Sequence, residues 1–194
     1  LVVNLLLSTV NSGAAVDLAS VIPGGGQYNG AQFKNLGVFS PYGPGRIGTT
    51  TIKGADFWQT PTASGSFAGS LNVDVDAKTG ASDLVIVEKG TATLGGKVVP
   101  SFLNATSLRP GTPVSAVIVQ SALGGVVDSG LASQSSAVMT YQLSVNNGRT
   151  TLNLTATPNF APAVLAGNQQ KVGNAINGLL TSGRTIGGST TLSD

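Results

Sequence analysis

Leu71, Val73 and Val75 alternate with Asn72, Asp74 and Asp76, the two-residue period that predicts a strand with one buried face and one wet face. Short runs of the same kind recur, and candidate strands fall at residues 33–38, 49–52, 57–59, 70–75, 84–87, 91–94 and 97–102. Leu84-Val85-Ile86-Val87 is apolar throughout, which suits a strand covered on both faces or one at a corner of the chain. Gly, Asn, Asp and Pro close these runs so often between positions 37 and 99 that the chain is expected to coil repeatedly rather than fold around a few long elements.

Further along, residues 114–119 form another apolar run and residues 121–130 are rich in turn formers. Residues 138–145 set Tyr141, Leu143 and Val145 on one face against Thr140, Gln142 and Ser144, and Leu152, Leu154 and Ala156 alternate likewise. Between them lies Asn146-Asn147-Gly148-Arg149, and Asn-Gly predicts a type I′ turn with positive φ at both central positions, hence an antiparallel hairpin. From Asn168 the period lengthens. Val172, Ala175, Ile176, Leu179 and Leu180 share one helical face, with Asn168 placed to cap it. Gly173 and Gly178 each weaken that helix by up to about 1 kcal/mol, so it needs a surface to dock on. Residues 181–194, mostly Gly, Ser and Thr, read as a linker or tail.

At the other end, residues 1–7 are apolar but interrupted by Asn4. They fall far short of the roughly 20 residues of a membrane helix and are expected to form a buried strand. Pro23-Gly24-Gly25-Gly26 predicts a loop. No basic region leading into a cleavable signal opens the chain at Leu1, so it reads as a fragment or a processed piece.

Composition narrows the chemistry. Only 9% of residues are charged while 41% are hydrophobic, a balance that argues for a folded chain and against disorder. Ten Lys and Arg stand against eight Asp and Glu, a net charge of +2, and the basic residues are dispersed, so nucleic acid is not an expected partner. The chain has neither Cys nor His. That removes disulfides, Cys-based zinc sites, the commonest general base at neutral pH and the Ser-His and Cys-His dyads.

Asp74, Asp76 and Asp83 invite a calcium site, but Lys78 stands where an EF-hand needs an oxygen ligand, and they are read as solvent-facing strand and turn residues. A carboxylate pair for glycoside cleavage would be drawn from Asp56, Asp74, Asp76, Asp83, Glu88 and Asp128, of which the sequence singles out no two. Ser64-Gly65-Ser66 and Ser182-Gly183 lack the turn and helix of a nucleophile elbow, and Gly24-Gly25-Gly26 lacks those of a phosphate loop. Phe57-Trp58 is read as filling the core or its flank, and Tyr28 and Tyr42 are the remaining aromatic candidates for sugar stacking.

Four segments, in order, are similar to the C-terminal part of a bacterial autotransporter passenger, the secreted portion of a type V secretion protein. Gly37-Val38-Phe39-Ser40-Pro41 followed by residues 45–54 resembles a coil of that family. Residues 65–96 resemble its G-S-x-L-x-V-x-V strand, S-D-x-L-x-V strand and G-x-A-T-L-G-G return. Residues 117–125 with 139–155 resemble the closing, autochaperone or pertactin-like region. Residues 158–180, with Asn168-Gln169-Gln170, resemble the stretch leading toward the membrane barrel, although Gly167 stands for the expected Pro and Asn177 for the expected Asp.

That resemblance, over residues 36–180, implies an all-β right-handed parallel β-helix, or solenoid, capped by an antiparallel hairpin and followed by a short C-terminal helix. Residues 1–157 would be the β-helix passenger segment, with its cap at about 114–157, and residues 158–194 a helical segment and linker toward an outer-membrane barrel that is not in this chain. It implies a non-catalytic scaffold for surface display and a folding nucleus (autochaperone) during outer-membrane translocation, located at the bacterial cell surface or secreted through the periplasm. No catalytic, cofactor-binding or metal residue is assigned, and no cofactor. The expected partners are the chain's own C-terminal barrel and a host surface or glycan, with the chain itself a monomer. Two other readings stand beside it: an adhesin module binding host matrix or glycan, and a β-helix polysaccharide lyase or hydrolase.

Overall fold

The computed structural model describes residues 2–5, 9–11, 16–17, 32–35, 37–59, 69–133 and 135–182, with only backbone for 2–5, 9–11, 16–17 and 127–129. The strands are β1 (Val2–Leu5), β2 (Thr9–Asn11), β3 (Val16–Asp17), β4 (Gln32–Asn35), β5 (Val38–Ser40), β6 (Thr49–Lys53) and β7 (Asp56–Gln59). They continue as β8 (Ser70–Asp76), β9 (Leu84–Val87), β10 (Ala92–Leu103), β11 (Val114–Ser121), β12 (Val126–Ser133), β13 (Met139–Val145) and β14 (Thr151–Pro158), before one helix, α1 (Gly167–Thr181). The expected loop at 23–26, Tyr28, Ser64-Gly65-Ser66 and the tail beyond 182 lie outside the described residues.

The expectation of a capped right-handed parallel β-helix is corrected. The strands form two sheets: an eight-stranded one ordered β1-β4-β7-β10-β8-β5-β2, with β12 also on β10, and a six-stranded one ordered β13-β14-β11-β9-β6-β3. Every pairing in the first is parallel, whereas the second is mixed. Two local causes are visible. Gly95-Gly96 does not break the chain, so β10 runs for 12 residues and joins the ladder through β7 to the ladder through β8 in one sheet. The hairpin does not lie across an end; β14 pairs antiparallel with β11 and so extends the second sheet.

The proline within β10 explains where that sheet stops. Lys97 N–H donates to Gly69 O, and Leu103 O accepts from Ala77 N–H, so alternate residues from 97 to 103 turn their polar backbone toward β8. Pro100 therefore faces the opposite side, where β12 pairing has ended at Val98↔Ser133. A residue without an N–H is tolerated there because no ladder bond is owed.

Both sheets feed one core. Phe33, Phe39 and Phe57 meet at centroid distances of 5.4–5.8 Å, and Leu71, Val73, Val85, Val87, Leu94, Ile118, Leu152 and Leu154 continue it. In β11 the alternation slips: Ile118 and Val119 are both buried at a bulge between Val117 and Val119. That extra residue lets the first half of β11 meet β14 while Val119–Ser121 stays in parallel register with β9.

Three further expectations change. The turn-rich stretch 121–130 contains most of β12, a strand whose Gly130 takes φ +97° at a shift in register. The hairpin turn is not type I′. Arg149 N–H donates to Asn146 O at 2.9 Å, and positive φ falls on Arg149, at 52°, rather than on Asn147 and Gly148, the pattern of a type I turn followed by a left-handed residue. Helix α1 is preceded by Ala166, not capped by Asn168. It docks through Gly173, leaving Val172 and Leu179 exposed.

Candidate functional site

The carboxylates that the sequence offered are dispersed, and two of them are not on the surface. Asp74 is 4% exposed and Asp83 0%, which corrects their reading as solvent-facing residues. Strand β8 has three consecutive buried positions at Val73, Asp74 and Val75 because the segment through Arg46 and Gly48 covers its outer face. Asp83 Oδ1 accepts from Gly48 N–H at 2.9 Å and its Oδ2 from Asp74 N–H at 3.0 Å, while Asp74 Oδ2 accepts from Arg46 N–H at 3.1 Å. Burial, outweighing those hydrogen bonds and helped by the neighbouring Asp74 charge, pushes the Asp83 carboxyl up to about 6.

The remaining acids do similar work at the surface. Asp76 Oδ1 accepts from Lys78 and Thr79 N–H and from Asn104 Nδ2, and the Asn104 amide followed by the Lys78 N–H holds its carboxyl below the usual range. Asp56 Oδ1 accepts from both the N–H and the hydroxyl of Thr91. Glu88 meets Lys53 at 3.9 Å, both exposed. Asp128 is described only by its place in β12 opposite Leu94. Among the described residues no group of three or more acids could hold a metal ion, so the calcium candidates Asp74, Asp76 and Asp83 are not brought together as a ligand set.

Phe57 is fully buried in the aromatic cluster, and its neighbour Trp58 lies on the outer face under Lys34 Nζ, 4.9 Å from the ring. Tyr42 is 38% exposed and lies against Gly48, where a Cβ would come within 2.2 Å of the ring. A cleft of about 300 Å³ opens beside the free edge of β10, lined by Lys97, Val99, Pro100, Ser135, Ser136 and Tyr141 among others. None of the candidate acids lines it. Its Tyr141 stacks on Phe102 at 6.4 Å, and burial raises the phenol.

A polar cluster that sequence reasoning missed sits inside the first sheet. Asn35 and Gln59, both fully buried, are register partners. Asn35 Nδ2 donates to Gln59 Oε1 and to Ser70 O, each at 2.9 Å, and its Oδ1 accepts from Gly37 N–H. Gln59 Nε2 donates to Gly95 O at 2.7 Å and Lys97 O at 3.1 Å. The two amides thus satisfy backbone groups at Gly37, Ser70, Gly95 and Lys97. The available signal was each amide's place one step beyond an alternating strand position, after Phe33 and Phe57.

The C-terminal antiparallel unit is paired throughout its length. Strand β14 is paired on both edges, and Leu152, Leu154 and Ala156 are buried under it. The hairpin turn reaches back to the last parallel return: Arg149 O accepts from Val126 N–H and Thr150 O from Ser121 N–H, each at 2.8 Å. Asn146 pins the turn, accepting at Oδ1 from Thr150 and Thr151 N–H and donating from Nδ2 to Thr150 Oγ1. Among the described residues no helix is long and apolar enough to cross a membrane. No protein-family model, curated protein or solved structure matches the chain.

Proposed function

We propose that this chain is a non-catalytic segment of a surface-displayed bacterial passenger, in which residues 114–157 act as the folding nucleus for the strands that precede them. It would work alongside an outer-membrane barrel as a monomeric scaffold on the cell surface. The observation that carries this reading is the position of β14. Its pairs with β13 are local in sequence and cheap to close, and Leu152 and Leu154 enter the same core as Phe57 and Leu71. Once formed, that unit offers the Val119–Ser121 stretch of β11 as a ready edge for β9. The non-catalytic part is supported by Asp56, Asp74, Asp76 and Asp83, each of which has at least one carboxylate oxygen engaged with a backbone N–H group.

Refolding and unfolding rates of Leu154→Ala and Phe57→Ala test the nucleus. Each substitution removes a large buried side chain and costs about 2–5 kcal/mol. The loss at Leu154 should appear as slower folding, and the loss at Phe57 as faster unfolding. The reverse assignment would overturn the nucleus. Fused ahead of an outer-membrane barrel, Leu154→Ala should also reduce surface display more than Phe57→Ala, and equal display would count against the secretion role.

A further inference from the structure

Three Asn-Gly pairs occur in the chain, at Asn29-Gly30, Asn147-Gly148 and Asn177-Gly178, and the first lies outside the described residues. The two that are described differ in every respect that matters for the amide chemistry of asparagine. Asn147 and Gly148 are exposed at the hairpin tip. Among the described hydrogen bonds none engages the Asn147 side chain or the Gly148 N–H; the turn is closed instead through Asn146, Arg149, Thr150 and Thr151. An added Cβ on Gly148 would meet nothing nearer than 3.8 Å, so the space beside this glycine is open.

Asn177 is held. Its Oδ1 accepts from Phe160 N–H at 3.0 Å, its Nδ2 donates to Asn159 Oδ1 at 3.3 Å, and Gly178 lies inside α1, where the ladder of i to i−4 bonds occupies backbone N–H groups. Asn146, next to the reactive position, is likewise held through both side-chain atoms.

We infer that Asn147 is a spontaneous deamidation site whose conversion to isoaspartate releases the hairpin's grip on β12. The Gly148 backbone nitrogen attacks Asn147 Cγ, a C–N bond forms, and the Cγ–Nδ2 bond breaks. Ammonia leaves, carrying the amide proton of Gly148, and a succinimide remains. Water then opens the ring at either carbonyl, giving aspartate through one and isoaspartate through the other, with no change in oxidation state. Isoaspartate routes the main chain through the side-chain carbon and lengthens the turn by one methylene. That turn presents the Arg149 and Thr150 carbonyls to Val126 and Ser121, and Gly124 packs at its rim, where an added Cβ would lie 3.6 Å from Gly148 O. A longer turn cannot keep both carbonyls in place, so the start of β12 loosens while β13 and β14 remain paired.

The full chain is held in mildly alkaline buffer, folded or in denaturant, and digested at intervals for peptide mass analysis with fragmentation that identifies isoaspartate. In the folded chain the Asn147 peptide should convert roughly tenfold or more faster than the Asn177 peptide, the factor that about 1.4 kcal/mol of local opening free energy at the helix supplies. In denaturant the two rates should converge. Equal rates in the folded chain, or a stable Asn147, would overturn the assignment. Amide exchange at Val126 should rise in the aged wild type and stay unchanged in equally aged Asn147→Gln. Unchanged exchange in the isoaspartate fraction would overturn the link to β12.

Discussion

Two glycines in α1 are expected to respond to the same substitution with opposite sign. At Gly178 an added Cβ meets nothing within 4 Å, so Gly178→Ala gains helix propensity alone, up to about 1 kcal/mol. At Gly173 the Cβ would lie 2.2 Å from Phe160 O and 2.9 Å from its carbonyl carbon. Backbone atoms cannot turn aside as a flexible side chain does, so α1 must retreat from the 160–161 segment. Retreat strains the two bonds that hold the helix there, Phe160 N–H to Asn177 Oδ1 and Gln170 Nε2 to Ala161 O. Each contributes about 0.5–1.5 kcal/mol. Losing both outweighs the propensity gain by about 1 kcal/mol, which leaves the two alanine variants about 2 kcal/mol apart. Amide exchange at Phe160 measures docking directly. It should quicken in Gly173→Ala and slow or hold in Gly178→Ala. Unchanged protection of Phe160 in Gly173→Ala would refute the idea that α1 docks by close backbone approach.

Asp83 should give the folded protein an unusual pH dependence. Burial pushes its folded carboxyl up to about 6, above the ordinary carboxylate range, so between the two the folded state binds more protons, and stability falls as pH rises. The effect is capped at about 3 kcal/mol before solvent screening reduces it. Denaturant midpoints at pH values either side of this window should show the decline in wild type and lose it in Asp83→Asn; an identical slope in both would remove Asp83 as its source. In the buried amide pair, Gln59→Leu removes the side-chain partner of the Gly95 and Lys97 carbonyls and of one Asn35 donor, at about 1–3 kcal/mol for each group left unpaired. Urea unfolding of both singles and the Asn35→Leu, Gln59→Leu double should show the double costing less than the sum, and strict additivity would count against a coupled pair.

What could be read in advance follows the range of the physics involved. The spans of β6, β7, β8, β9, β13 and β14 were legible within a residue or so because alternation reports a face, and faces are local. Strand β12 was hidden because Gly124, Gly125 and Gly130 read as turn chemistry, whereas Gly130 makes a shift in register beside β10. Whether the strands close as coils or spread as two sheets turns on Gly95-Gly96, and nothing local says that β10 passes through it unbroken. Asp74 looked wet by alternation; only the distant segment at Arg46 makes it dry. The same limit applied to α1, where Val172, Ala175 and Leu179 of the apolar stripe stay exposed while Ile176 and Leu180 are half-buried, and the glycine that lowers propensity is what permits contact.

The scarcity of charge and the abundance of short polar side chains follow from that arrangement. A parallel connection leaves turn N–H and C=O groups without ladder partners, and burying them unpaired costs about 1–3 kcal/mol each. Here partners are supplied by side chains: Asn35 and Gln59 in one place, Asp74 and Asp83 in another, and in a third the Ser121 hydroxyl, whose single proton lies within reach of both Gly90 O and Gly124 O. Asn35, Gln59 and Ser121 stand at the ends of β4, β7 and β11, whereas Asp74 lies inside β8 and Asp83 just ahead of β9; each ties its strand to a fixed neighbour. Acids committed in this way are poorly placed to serve a passing substrate, because a substrate could bind them only by displacing a backbone donor and unseating a turn. A ladder held by single contacts is most sensitive at those contacts, which is why the bonds from Arg149 O to the start of β12 at Val126 and from Thr150 O to the end of β11 at Ser121 are where a single altered residue should be felt furthest.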